Sequence, residues 1–327
     1  MSSKATPSFR FGLISDIQYA DINDAMNFSK TEQRTYRGGI EYTRAAVQYW
    51  NNMQPQPHFI MQLGDIIDGQ NNGTYGQGLN LKQPQSQSAL SSITQELDHS
   101  QMPIHHIIGN HELYNFDWRQ LRNRLNRDQH CIAQEQFYYS FSPVAGWRCI
   151  VLNSYAISTM QDKESTGYKQ AYAILAQKNK NFLSQGKADY FEGLEGLEQR
   201  FVPFNGGFGT EQLEWLKETI ASSHTQKERV LVFVHNPICE DAASAKNLAF
   251  DYDTALDILH STPTGHVVAV FAGHYHNGGY AQDGHGIHHI TIKAPLTHGK
   301  CFAYADVFND RLHCAGKGAQ PSFDCSF

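Results

Sequence analysis

Short apolar runs punctuate the chain. Phe9 to Ile14, His58 to Leu63, Ile104 to Ile108, Trp147 to Leu152, Val230 to Val234 and Val267 to Phe271 are rich in β-branched or aromatic residues, which predicts strands. Their apolarity is nearly continuous rather than alternating, so both faces of the sheet should be covered. Between them lie stretches with helical spacing: Gly39 to Trp50, Ser88 to Leu97 and Thr210 to Ser222. In the last, Leu213, Leu216 and Ile220 share one face, and Thr210 stands where a capping hydroxyl is expected. Strands alternating with helices predict an α/β fold.

The C-terminal part reads differently. His288 to Lys293 and Phe302 to Phe308 look like strands, and Asn309-Asp310 looks like a turn into Arg311 to Ala315, which predicts antiparallel edge structure. Gln70 to Gln87 is rich in Gln, Asn and Gly and predicts a loop. Ser158 to Gln199 is long, polar and partly helical, and no apolar core of its own accompanies it. The expectation is therefore a single domain over 1–327, with its core at about 9–315 and an insertion at about 158–199.

The residues that close each apolar run are more informative than the runs themselves. The first run ends in Ser15-Asp16-Ile17-Gln18, the second in Gly64-Asp65-Ile66-Ile67-Asp68, and the third in Gly109-Asn110-His111-Glu112. Later runs end in His235-Asn236-Pro237 and Gly273-His274-Tyr275-His276. Ligands bind outside the carboxyl ends of strands in α/β sheets. Residues two apart in an extended segment point to one side, so Asp16 can act with Gln18, and His274 with His276. Any one of these pieces is commonplace. The ordered set Asp16, Gln18, Asp65, Asn110, His235, His274 and His276 has too many ligands for one tetrahedral ion. It suits two ions sharing a carboxylate, the usual clamp for in-line displacement at phosphorus.

Composition narrows the reading. The 327 residues carry 26 Lys+Arg against 32 Asp+Glu, a net charge of -6 that offers no footprint for nucleic acid. No stretch is long and apolar enough to span a membrane, and the first ten residues lack the apolar segment of a signal peptide, so a cytoplasmic location and no membrane partner are expected. The six cysteines form no Cys-x-x-Cys and read as reduced, packed thiols. The 17 histidines are the unusual feature, since imidazole is the commonest metal ligand.

With these motifs in place, Asp16-x-Gln18, Gly64-Asp65-x-x-Asp68, Gly109-Asn110-His111-Glu112, His235 and Gly273-His274-x-His276 together resemble the calcineurin-like metallophosphoesterase superfamily. The resemblance covers about residues 9 to 315 and implies a four-layer α/β/β/α sandwich around two mixed sheets. Most of that superfamily has His where this chain has Gln18. The substitution resembles the manganese-dependent ADP-ribose/CDP-alcohol diphosphatases, as do the opening segment Phe11 to Asp21, the segment Gly196 to Gly207, and Leu113-Tyr114-Asn115. Gln33-Arg34-Thr35-Tyr36-Arg37 is a partial match to the Arg- and Tyr-rich stretch of that subgroup.

The resemblance implies that Asp16, Gln18, Asp65 and His276 hold one ion, and that Asp65, Asn110, His235 and His274 hold the other. The neutral Gln18 oxygen makes the first set harder, which favours Mn2+, with Mg2+ or a mixed Fe/Zn pair as alternatives. Divalent ions lower the pKa of bound water, so a bridging hydroxide is the expected nucleophile. Asp65 and His111 are the expected catalytic residues, with His111 aimed at the scissile phosphate. Arg34 and Arg37 suit phosphate oxygens, Phe28 and Tyr36 could stack on a base, and Asn205 could approach the ligand. The expected substrate is a small nucleotide with a diphosphate linkage, handled by a monomer. Rival readings are a cyclic nucleotide phosphodiesterase on the same centre and a non-catalytic interaction scaffold.

Overall fold

The structure, a computed structural model, describes residues 6–27, 30–73, 84–126, 131–132, 136–184 and 189–327. Among these, a seven-stranded sheet runs in the order Phe323–Ser326, Arg311–Lys317, Phe302–Val307, Phe9–Ile14, Phe59–Gln62, Ile104–His106, Cys131–Ile132. A six-stranded sheet runs Gly279–Gln282, His288–Thr291, Val267–Ala272, Arg229–Phe233, Trp147–Val151, Tyr139–Phe141. Both are mixed. Phe9–Ile14 pairs parallel to Phe59–Gln62, with Phe11 opposite Phe59, and antiparallel to Phe302–Val307, with Phe11 opposite Ala305.

Alternation along each strand builds the layers. Phe9, Phe11 and Leu13 point into the space between the sheets, where they meet Phe59, Leu231, Phe233 and Phe271. The Phe11 ring lies 5.2 Å from Phe59 and 5.4 Å from both Phe233 and Phe271, each close aromatic pair adding about 1 kcal/mol beyond its buried area. Ile14 and Ile60 face the other way, toward Ala46, Val47 and Trp50 of the helix Gly38–Asn51 and Leu90 and Ile93 of the helix Ser86–Leu97. Val230, Val232 and Val234 likewise pack on Leu216 and Ile220 of the helix Gly209–Thr225 and Ala255 and Leu259 of the helix Tyr252–Leu259. The result is the expected α/β/β/α sandwich. Gly12 is required where a helix presses on the sheet, since a Cβ there would stand 2.8 Å from the Trp50 ring.

The predicted strands all form, with ends shifted by a residue or two. The helices Asn110–Asn115, Trp118–Leu125 and Tyr252–Leu259 were not foreseen, because each is short. Thr210 does not cap its helix. Asp251 does so from a distance, its carboxylate accepting from the N–H groups of Phe208 (2.9 Å) and Gly209 (2.9 Å). In the polar segment after Ser158, Ser165 caps the helix Thr166–Lys178, whose Ala171 and Leu175 pack on Ile157, Phe201 and Phe250. No helix among the described residues is long and apolar enough to cross a membrane.

Candidate metal centre

The ends of the central strands meet at one rim of the sandwich. The chain there is strained: Asp16 (φ 50°), Gln18 (φ 43°), Asp65 (φ 57°) and His274 (φ 64°) all lie in the left-handed region that non-glycine residues avoid. Two of the neighbouring glycines serve space rather than backbone freedom. A Cβ on Gly109 would fall 2.0 Å from Asp65 Oδ1, and one on Gly273 would fall 2.0 Å from Ser15 Oγ and 2.8 Å from Asp16 Oδ2.

Asp65 stands at the centre and is buried. Its Oδ1 accepts from the His111 backbone N–H (2.8 Å), and its Oδ2 lies 3.1 Å from Gln18 Nε2 and 3.4 Å from His235 Nε2. Burial alone would raise its pKa, but the imidazoles of His235, His111 and His274 outweigh burial and hold it below the usual carboxylate range. Glu112 fastens the loop that carries it. Its fully buried carboxylate accepts from the N–H groups of Asp65 (2.7 Å), Ile66 (2.6 Å) and Gly109 (2.9 Å), tying two strand ends together.

His235 is sealed from solvent. Its Nδ1 donates to Leu63 O (2.7 Å), which in the neutral ring leaves the lone pair on Nε2, the nitrogen that faces Asp65 Oδ2. His274 donates its backbone N–H to Asp16 Oδ2 (2.9 Å), and its ring packs 5.0 Å from that of His235. Asp65, His235 and His274 offer ligand atoms all within 4.8 Å of one another. Across the pocket, His276 Nε2 lies 2.9 Å from Gln18 Nε2 and 3.6 Å from Asp16 Oδ1. Burial pushes the Asp16 pKa up to about 6, with Asp65 adding to that push and His235 opposing it. Asn110, the first residue of its helix, accepts from Tyr155 OH through Oδ1 (3.2 Å). The structure thus places all seven residues expected as metal ligands at one rim of the sandwich, with Asp65, His235 and His274 closest together.

The donor set fits cations. Buried polar atoms are normally bonded, yet Asp16 Oδ1, Gln18 Oε1 and His235 Nε2 have no protein partner. Each can offer a lone pair, and the Gln18 and His235 side chains border the Asp65 carboxylate. Gln18 Oε1 and Nε2 exchange places by a half-turn of the amide, so the oxygen can face the cluster.

His111 lies beside these groups. Its Nδ1 accepts from Gly69 N–H (2.8 Å) and sits 3.3 Å from Asp68 Oδ2, while its Nε2 lies 4.0 Å from Asp65 Oδ2. Burial disfavours its charged form, but Asp65 and Asp68 outweigh burial and raise its pKa.

The expected substrate contacts divide. Arg34 lies beside the His111 loop, its NH1 3.9 Å from Asp68 Oδ2. Tyr36 does not stack on anything open to a ligand: it is 1% exposed, in a small cluster with Ile22, Ala294 and Leu296. Arg37 is drawn away by Asp21 (2.6 Å) and Asn23 (2.8 Å) on the surface. Asn205 is fully buried, with every side-chain bond made to protein. Phe28 lies outside the described residues. Sequence reasoning passed over Glu112, Tyr155 and Asn236 as parts of the site. A carboxylate directly after Asn-His was the one available signal for Glu112. Tyr155 and Asn236 carried none.

A cluster of carboxylates, amides and imidazoles at the strand ends of an α/β/β/α sandwich defines a dimetal phosphoesterase type of site. Residues 9–278 match the family model for calcineurin-like phosphoesterases, and the chain belongs to that family. Within it, the chain is 37% identical over 325 residues to a Danio rerio protein named manganese-dependent ADP-ribose/CDP-alcohol diphosphatase, covering 95% of this chain and 96% of that one. The Homo sapiens protein of the same name is 34% identical, covering 98% and 93%. Among solved structures, a dimetal phosphatase from Danio rerio superposes with a TM-score of 0.87 at 35% identity, covering 98% of this chain and 99% of that one.

Proposed function

We propose that this chain is a manganese-dependent hydrolase of ADP-ribose, CDP-alcohols of the CDP-choline type and related nucleoside diphosphate derivatives. The products are a nucleoside monophosphate and a phosphorylated partner. The observation that carries this reading is the gathering of Gln18, His235 and His274 around the buried Asp65 carboxylate, with Asp16 Oδ1 and His235 Nε2 buried and without a hydrogen-bond partner. Asp16, Gln18, Asp65 and His276 would hold one divalent cation, and Asp65, Asn110, His235 and His274 the other. When bound, such a pair supplies charge neutralisation at the phosphate and a water of lowered pKa. The relatives named above and the Gln18 oxygen both favour manganese.

The chain's own groups supply the rest. Water adds to one phosphorus and the bridging oxygen leaves with the second phosphate. In the neutral ring, the Gly69 N–H on Nδ1 places the His111 proton on Nε2, from where it can be given to that oxygen. Glu112 holds the Asp65 and Gly109 loops in register. Arg34 adds positive charge beside Asp68 for the phosphate oxygens. The enzyme would work as a monomer in the cytoplasm, where the free, buried Cys149, Cys239, Cys301, Cys314 and Cys325 would stay reduced.

The test is a chelator-stripped full-length protein reloaded with Mn2+, Mg2+ or Zn2+ and offered ADP-ribose, CDP-choline and 3′,5′-cyclic AMP. Manganese should restore turnover on the linear diphosphates. Preference for the cyclic nucleotide would turn the assignment to a phosphodiesterase, and full rescue by zinc alone would overturn the metal argument. His111→Ala should lower kcat by about 10²–10⁴ with metal content unchanged. Loss of metal instead would make His111 a structural residue.

A further inference from the structure

Behind His235 and His274 lies a buried cluster of asparagines whose hydrogen bonds can be assigned atom by atom. Asn205 is the hub. Its Nδ2 donates one hydrogen to Arg200 O (2.9 Å) and the other to Lys246 O (2.8 Å). Both partners are carbonyls, which only accept, so the amide cannot be turned round. Its Oδ1 therefore faces His274 Nε2, at 2.8 Å, as an acceptor. Asn236 sets the same orientation from the other side. Its Nδ2 donates to Asn247 O (3.1 Å) and to Asn205 Oδ1 (3.3 Å), while its Oδ1 takes the Ser154 hydroxyl (2.8 Å).

An acceptor at 2.8 Å requires a donor, so His274 must carry its proton on Nε2. We infer that Asn205 is a positioning residue, which holds His274 as the Nε2–H tautomer and leaves Nδ1 as the ring's only lone pair. His235 is held in the opposite sense, with Nδ1 donating to Leu63 O. Two imidazoles 5.0 Å apart thus present different nitrogens, each because its other nitrogen is committed behind it. Only the use made of that lone pair rests on the dimetal reading above.

Asn205 also joins distant segments. Arg200 closes the long polar stretch that follows Ser158. Lys246 belongs to the turn before the helix Tyr252–Leu259. The Tyr155 hydroxyl lies 3.3 Å from the neighbouring Phe204 O and 3.2 Å from Asn110 Oδ1 and shares its single proton between them. The short run from Arg200 to Asn205 therefore stands behind both His274 and Asn110, residues assigned to the same cation. It has no comparable bond to Asp16, Gln18 or His276.

The tautomer is read directly in the metal-free full-length protein by long-range ¹H–¹⁵N correlation of the histidine side chains. His274 should give the Nε2–H pattern, and His235 should carry a proton on Nδ1. An Nδ1–H pattern at His274 overturns the inference, even in a preparation that hydrolyses ADP-ribose. The second measurement is Mn2+ titration followed by electron paramagnetic resonance of free ion. Asn205→Ala should weaken one of the two ions by about 10–100-fold and leave the other close to wild type. Unchanged binding, or equal weakening of both ions, overturns it. If wild-type protein takes up one ion only, the proposed function fails, while the tautomer pattern still decides the role of Asn205.

Discussion

Two histidines sealed from solvent sit in opposite company. His105 lies between the sheets. Its ring is stacked 4.1 Å from Phe141, with Nδ1 on Tyr139 OH at 2.8 Å, and burial with no charge to answer it pushes its pKa down to about 4. His235 lies at the rim, and burial works on it the same way, but Asp65 at 3.4 Å and the Asp16 charge reverse the outcome and raise it to about 9. The rim is short of positive charge and the core is not. The contrast extends to the backbone. The strand residues around His105 keep ordinary backbone angles, whereas the rim combines left-handed aspartates with unbonded lone pairs. Burial is equal in the two regions, so burial does not mark function here. Unmet electrostatic demand does, and the fold is rigid enough to hold it.

Changes on either side should separate cleanly. The largest effect is expected from Asp65→Asn, which removes the charge that both cation sets share. Hydrolysis should fall by about a thousandfold or more, several kcal/mol of transition-state stabilisation, and metal content measured by plasma mass spectrometry should fall with it. Wild-type metal content with wild-type turnover would break the contrast at its centre. Next comes Phe11→Ala between the sheets. Urea unfolding should show a loss of about 3–5 kcal/mol, with kcat per folded molecule close to wild type. A comparable drop in kcat would mean that core packing reaches the rim.

The smallest effect concerns pH. His105 takes up a proton near 6.5 when unfolded but resists down to about 4 when folded. The unfolded chain therefore binds more protons in that window, and stability falls as pH drops through it. Between pH 7 and pH 5 this one group should cost about 2 kcal/mol, read as a shift in urea midpoint. His105→Phe should remove most of that slope. A slope unaltered by the substitution would assign the acid sensitivity to other groups.

Much of the candidate site was legible along the chain, for a local reason. A strand is an apolar run, and the polar residue next after it stands at the sheet's end, so Asp16, Asp65, Asn110, His235 and His274 announced their place before any pairing was known. The substrate-contact expectations fared worse because they depended on nothing local. Tyr36 and Arg37 are adjacent, yet one is buried against Leu296 and the other bonded to Asp21 in solvent. Asn205 reads as a loop residue next to two glycines and is instead a buried hub. The cap of the helix Gly209–Thr225 was misplaced for the same reason, its acceptor Asp251 lying more than forty positions downstream of Phe208 (|i−j| = 43).

The sequence by itself determined the alternation of strand and helix, the chemistry waiting at each strand end and the family to which the chain belongs. The first two follow from residue type and periodicity over a few positions, and the family from the likeness of those strand-end motifs to known ones. The tertiary structure decided which nitrogen of each imidazole is free, which carboxylate loses its proton last and which amide holds which ring. Those properties belong to atoms that meet across intervals such as 172 residues, between Leu63 and His235, or 69, between Asn205 and His274. Proton positions and charge balance are set by neighbours in space, and the local pattern holds no record of them.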